Sequence, residues 1–108
     1  MDAKTRNQLA EELHSSSMET QKEKGDSYAG KSGDALSNFK RNAENLGLTK
    51  YQVWAVYFGK HVDSISNAIK HSPELPKDDS EGLRGRIIDA KNYLDILYCL
   101  LIEDGEKF

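Results

Sequence analysis

The chain has 108 residues, 37% of them hydrophobic and 31% charged, with a formal net charge of −3 and a pI near 5.6. This length fits one domain with a thin core, and the acidic balance argues against direct nucleic-acid binding, which needs a basic face. No run of about 18 apolar residues is present, so no membrane span is predicted.

The opening MDAKTRNQLAEELHSSS is polar where a signal peptide needs an apolar stretch. The one cysteine, Cys99, lies within an apolar run. It reads as a buried thiol, and the protein as reduced and cytoplasmic. No stretch alternates with period two, so no strand is predicted. The first helix is expected over residues 3–24, closed by Gly25. Its apolar positions are few (Leu9, Leu13, Met18) and HSSS is weak helix material, so it is expected to be partly exposed or frayed.

GDSYAGKSGD, residues 25–34, carries three glycines and reads as a flexible loop. A second helix follows over 35–46, with Asp34 as its cap and Gly47 as its stop. Thr49 with Gln52 forms a capping box that opens the third helix, 50–71. Trp54, Tyr57, Phe58, Ile65 and Ile69 give that helix an apolar face, and Trp54 is expected in the core. After SPELPKDDS, Ser80 caps a fourth helix over 81–103, whose apolar stripe is Leu83, Ile87, Ile88, Leu94, Leu97, Tyr98 and Leu101. The tail DGEKF is expected to be loose. The predicted fold is a single all-α domain, residues 1–108, a four-helix bundle or half of a dimeric one.

Polar residues on the inner helices carry the functional question. Glu81, Gly85, Asp89 and Asn92 fall along one stripe of the fourth helix. Lys60, Asp63, Ser64 and Asn67, with His61 beside them, form a counterpart on the third. If these helices pack antiparallel, the two stripes meet at one end of the bundle. A half-buried carboxylate there needs a partner. Either Asp89 pairs with Lys60, Arg84 or Arg86, or the groups face solvent, or Asp89 and Glu81 hold Mg²⁺ while Lys60 holds phosphate oxygens. In the loop, Lys24 and Lys31 flank Asp26 and Tyr28: a plain surface loop, or lysines that wrap phosphate and a tyrosine that stacks on a base. GKS without a preceding strand is not a P-loop. His14, His61 and His71 lack zinc-ligand spacing.

KGDSY, then Asn38-Phe39, then NLGLTKYQVWAVYFGKHVDSI, then RIIDAKNYL occur in an order that resembles the small helical nucleotide-modification-associated domain proteins common in phages. Those are in turn similar to the all-α nucleoside triphosphate pyrophosphohydrolases of the MazG and dimeric dUTPase type. The resemblance spans about residues 20–101 and implies a dimeric helical fold with a nucleotide ligand. By position it implies roles for Asp26, Tyr28, Asn38, Lys60, Glu81, Asp89 and Asn92. The pyrophosphohydrolases present paired ExxE and ExxD motifs, where this chain has DAKN. Asn92 then coordinates through its carbonyl and adds no charge.

Three functions are expected from these residues. The first is Mg²⁺-dependent hydrolysis of a nucleoside triphosphate to monophosphate and pyrophosphate. Here Glu81, Asp89 and Asn92 hold the metal, Lys60 and a loop lysine hold phosphate, and a carboxylate such as Asp63 serves as base. The second is a nucleotide-binding protein without chemistry. The third is a dimeric interaction module whose polar stripe is a helix–helix seam.

Overall fold

The computed structural model describes residues 1–29, 33–77 and 82–108, apart from the side chains of 25–29. Within them lie four α-helices and no strand: α1 (Ala3–Ala29), α2 (Ser37–Leu46), α3 (Lys50–His71) and α4 (Leu83–Glu103). The all-α class is therefore as the hydrophobic periodicity predicts.

The turn between α2 and α3 follows from local chemistry. Gly47 takes φ 67°, a left-handed conformation that glycine adopts without a Cβ penalty. It lets Leu48 N–H reach back to the Ala43 carbonyl at 3.0 Å, closing α2 in a Schellman arrangement. Two residues on, Thr49 Oγ1 accepts from Gln52 N–H at 3.1 Å while Gln52 Oε1 accepts from Thr49 N–H at 2.8 Å. This is the predicted capping box, and it fixes where α3 starts.

Two predicted boundaries differ. α1 does not stop at Gly25 but continues to Ala29, so half of the expected 25–34 loop is helix. One interior glycine costs about 1 kcal/mol against alanine, which a 27-residue helix absorbs. Asp34 is not the cap of α2 either. Its Oδ1 accepts from Leu36 N–H at 2.9 Å in a turn ahead of the helix, and Leu36 holds the cap position without a side-chain bond. The predicted cap at Ser80 lies outside the described residues.

α3 and α4 run antiparallel: Tyr51 reaches Leu100, and Trp54 Nε1 donates to the Tyr93 carbonyl at 2.6 Å. Phe39 and Ala43 of α2, Val53 and Trp54 of α3 and Leu100 of α4 make the buried core, with Phe58 stacked on Trp54 at 4.8 Å. Trp54 is a core residue, as its spacing predicts.

α4 meets that core with part of the stripe the sequence suggests: Ile88 is buried and Leu97 packs against the cluster. Ile88, Asn92 and Leu100 are buried, at i, i+4 and i+12. Ile87, Leu94 and Tyr98 of the predicted stripe lie on the opposite side, 38%, 51% and 54% exposed. Apolar residues fall on more than one side of the helix, so periodicity alone cannot choose its inner face. Asn92 is drawn inward by α1. Cys99, expected to be buried, is exposed: it shares a side of α4 with Ile88 and Asn92 but stands on the wall of an open cavity.

α1 crosses α4 at the HSSS segment. Residues 1–12 are exposed, but Ser17 is completely buried. The expected partial exposure holds over residues 1–12, whereas at Ser17 the helix packs closely, serine being small enough to let two helices approach. Its Oγ donates to Asn92 Oδ1, and one residue earlier Ser16 Oγ accepts from Arg84 at 2.8 Å.

Candidate functional site

A cavity of about 430 Å³ opens where the four helices meet. Its walls are aromatic. Phe39 of α2 lies edge-on to Tyr57 of α3 and to Tyr93 of α4, both at 6.1 Å between ring centres. Tyr57 and Tyr93 lie 6.5 Å apart, and His61 packs on Tyr93 at 4.8 Å. Leu36 and Ile96 complete the apolar lining, with Cys99 also on the wall. Offset and edge-on ring arrangements of this kind are the favourable ones, so the walls are set before any ligand arrives.

The polar groups come from α1 and α4. Asp89, Asn92 and Asp95 follow one another at intervals of three, so one side of α4 carries them all into the cavity wall. Asn92 Oδ1 accepts from Ser17 Oγ and from Gln21 Nε2, the latter at 2.9 Å. Gln21 Nε2 also reaches Asp95 Oδ2 at 2.6 Å. Lys24 Nζ lies 3.3 Å from Asp89 Oδ1. Thus Asp89 pairs with a lysine of α1 and not with Lys60, Arg84 or Arg86. Across the cavity, Asn38 Oδ1 accepts from Arg41 at 2.9 Å and from Asn42 at 3.2 Å. Asn42 also donates to the Tyr57 hydroxyl at 3.2 Å. His61 Nδ1 is buried and has no hydrogen-bond partner among the described residues.

Of the residues singled out in the sequence, Lys24, Asn38, His61, Asp89 and Asn92 line this cavity. Lys60 and Asp63 do not. Both are exposed, with Lys60 Nζ held 5.7 Å from the centre of the Tyr57 ring, and Ser64 donates to the Lys60 carbonyl. Of the expected α3 polar group, His61 meets Asp89 and Asn92 of α4 at the cavity, while Lys60 and Asp63 do not. α3 turns Tyr57 and His61 toward the cavity, and Lys60, Asp63 and Asn67 face solvent. Lys31 and Glu81 lie outside the described residues, as do the side chains of Asp26 and Tyr28. The sequence reading missed Gln21, Asp95, Tyr57 and Tyr93. Asp95 was within reach of it, three residues beyond Asn92 on the same stripe.

Of the three donors expected to hold Mg²⁺, Glu81 lies outside the described residues, and the other two have partners. Asn92 Oδ1 already accepts two hydrogen bonds and Asp89 Oδ1 is paired with Lys24. Among the described residues no three His, Cys, Asp or Glu side chains come together as a metal site. With Asp89 and Asp95 facing Lys24, the described lining holds more carboxylates than cations, which disfavours a bare polyphosphate inside it.

The strongest electrostatics lie at the other end of α4. Lys40 bridges Asp34 and Glu103 at 2.7 Å each, and Lys50 pairs with Asp104 at 2.7 Å. The Tyr51 hydroxyl donates to Asp104 at 2.6 Å. This latch ties the turn ahead of α2, which carries Ala35 and Leu36 of the cavity wall, to the ends of α3 and α4. The hydrogen bond from Lys40, then that from Leu36, holds Asp34 below its ordinary value; Lys50, then Tyr51, does the same for Asp104. Bonding to Asp104, helped by burial, pushes the Tyr51 hydroxyl up to about 12. A depressed carboxylate contributes stability above its unfolded pKa and loses it as pH falls through the folded one. The raised Tyr51 contributes below pH 10 and loses its share as pH climbs toward 12. At neutral pH the protein therefore melts above its Asp104→Asn variant, and the gap closes on acidification below about pH 4. A gap in melting temperature that stays constant down to the acid limit contradicts this.

Compared with protein-family models, with curated proteins and with solved structures, the chain matches none. Among the described residues no helix is long and apolar enough to cross a membrane.

Proposed function

We propose that this protein binds a nucleoside or nucleotide, the planar base entering the aromatic cavity. The observation that carries the reading is the pairing of three aromatic walls with a fixed polar edge. Phe39, Tyr57 and Tyr93 come from three different helices, and Gln21, Asn92 and Asp95 form one hydrogen-bonded row beside them. Small-molecule sites have this make-up, mostly apolar with a few placed polar groups. A base offers a flat face to the rings and donor or acceptor edges to the row. Phosphates lie on the side of Lys24 of α1, away from Asp95, because the carboxylates disfavour them deeper within. The sequence resemblance to nucleotide-acting proteins of the MazG type supports the same ligand class.

Binding without chemistry is the form of this function that the described residues support best. Hydrolysis would require Asp89 to leave Lys24 and a further carboxylate to join it. The proposed setting is the cytoplasm, where nucleotides occur and a lone thiol stays reduced. We propose also a homodimer, in which a second copy completes the helical bundle that one chain leaves open.

The test is a thermal-shift panel of nucleosides and their mono-, di- and triphosphates, with and without Mg²⁺, followed by product analysis of each hit. A ligand at 100 times its dissociation constant adds about 2.7 kcal/mol, a clear rise in melting temperature. The expected result is a shift that already occurs with the nucleoside, needs no Mg²⁺ and leaves the ligand intact. A Mg²⁺-dependent hit that releases pyrophosphate would establish hydrolysis instead. No shift across the panel overturns nucleotide binding.

A further inference from the structure

The polar row of the cavity has unused hydrogen-bonding capacity, and of a particular kind. Asp95 carries only acceptors, so Gln21 must turn Nε2 toward it, and that bond is 2.6 Å. Nε2 also meets Asn92 at 2.9 Å, so Asn92 must turn its carbonyl Oδ1 to Gln21. The orientation of both amides thus follows from one carboxylate. With the Ser17 hydroxyl donating to the same Oδ1, that oxygen is committed to two donors of α1. Asn92 Nδ2, a donor of two hydrogens, has no partner among the described residues. Asn92 is only 7% exposed, and a donor left unmade at a buried residue is costly.

Asp95 has the complementary need. Asp89 is paired with Lys24, but Asp95 has no cation beside it among the described residues and accepts only from Gln21. A carboxylate has room for about four such bonds, and this one stands half-buried in the cavity wall. Asn92 and Asp95 are three residues apart on α4, their Cβ atoms about 5–6 Å from each other. One edge of the cavity therefore offers a donor and, beside it, a charged pair of acceptors. The ligand that completes this row carries an acceptor followed by two adjacent donors.

We infer that the cavity selects guanine among the bases, Asn92 Nδ2 donating to its O6 while Asp95 accepts from its ring N1–H and its 2-amino group. This rests on the nucleotide-binding reading above and adds the base to it. The rings of Phe39, Tyr57 and Tyr93 do not choose, since every base has a π-face. The edge does. Guanine presents O6, N1–H and the 2-amino group in that order. Adenine and cytosine set an amino group beside a bare ring nitrogen, and uracil sets one N–H between two carbonyls. Neither pattern gives Asp95 two donors side by side, and a charged acceptor facing a carbonyl or a bare nitrogen is repelled.

Guanosine and inosine monophosphates make the test, because inosine lacks only the 2-amino group. Isothermal titration of the full wild-type chain is expected to show the guanosine ligand held about 10- to 100-fold tighter, the worth of one hydrogen bond to a charged group. Asp95→Asn, its fold checked by circular dichroism, is expected to shrink that ratio about tenfold, a neutral acceptor replacing the charged one. Equal affinities in the wild type overturn the choice of guanine, and need no variant to do so. Tighter binding of adenosine, cytidine or uridine monophosphate also overturns it, as does an unchanged ratio in a folded Asp95→Asn. In each of those cases nucleotide binding itself still stands. Binding of none of the five overturns that reading, and the base assignment with it.

Discussion

Replacing Ser17 with leucine is expected to loosen α1 from α4 and lower stability by about 2–4 kcal/mol. Ser17 has no accessible surface, so three extra carbons have nowhere to go, and overpacking of a filled site costs about 1–3 kcal/mol. The lost hydrogen bond to Asn92 adds about 1 kcal/mol. Ser17→Ala separates the two contributions. It keeps the volume, and Asn92 Oδ1 keeps its bond from Gln21, so only about 1 kcal/mol is expected to go. Urea titrations of the three proteins check this, with the midpoint falling further for leucine than for alanine. Equal midpoints for Ser17→Leu and wild type would mean that α1 does not pack on α4 through its serines. Because Gln21 and Lys24 reach the cavity from the next turns of α1, the leucine variant is also expected to lose ligand binding.

Leu100→Ala is expected to cost about 3 kcal/mol, within the usual 2–5 for a buried leucine. Leu100 is fully buried against the cluster of Phe39, Val53 and Trp54, so its truncation leaves a cavity in the core. Total stabilities of domains are only about 5–15 kcal/mol, so the change is large. Leu94→Ala, made at concentrations where the chain is monomeric, is expected to cost well under 1 kcal/mol, because Leu94 is half exposed. Trp54 fluorescence during denaturation reads both. The pair decides which face of α4 is inside, and the reverse ranking would put the face of Leu94 in the core.

That ranking shows where the sequence was informative and where it was not. Thr49, Gln52 and Gly47 announce the α2–α3 turn because capping and a left-handed glycine are local chemistry, settled within a few residues. The inner face of α4 is not local. The predicted stripe joins Ile88 and Leu97, which face the core, to Ile87, Leu94 and Tyr98, which do not, and only the packing of α1 and α3 separates them. The end of α1 was misplaced for the opposite reason: Gly25 is a strong local signal that the longer helix overrides. At the site, Asp89 and Asn92 stood out as polar residues on an apolar helix, and both line the cavity. Lys60 and Asp63 had the right spacing on their own helix but the wrong side of it. Tyr57 and Tyr93 were passed over because an aromatic residue at helical spacing reads as core, and only the assembled helices show these rings bordering a space.

The cavity as a base-binding site is the central claim, and its most direct measurement is a nucleoside titration followed by the side-chain amide resonances of Gln21 and Asn92. Binding as proposed shifts both amides saturably, without Mg²⁺, together with the ring protons of Tyr57 and Tyr93. A nucleoside that raises the melting temperature yet leaves those amides and rings unmoved would contradict it, since the ligand would then be held elsewhere on the molecule.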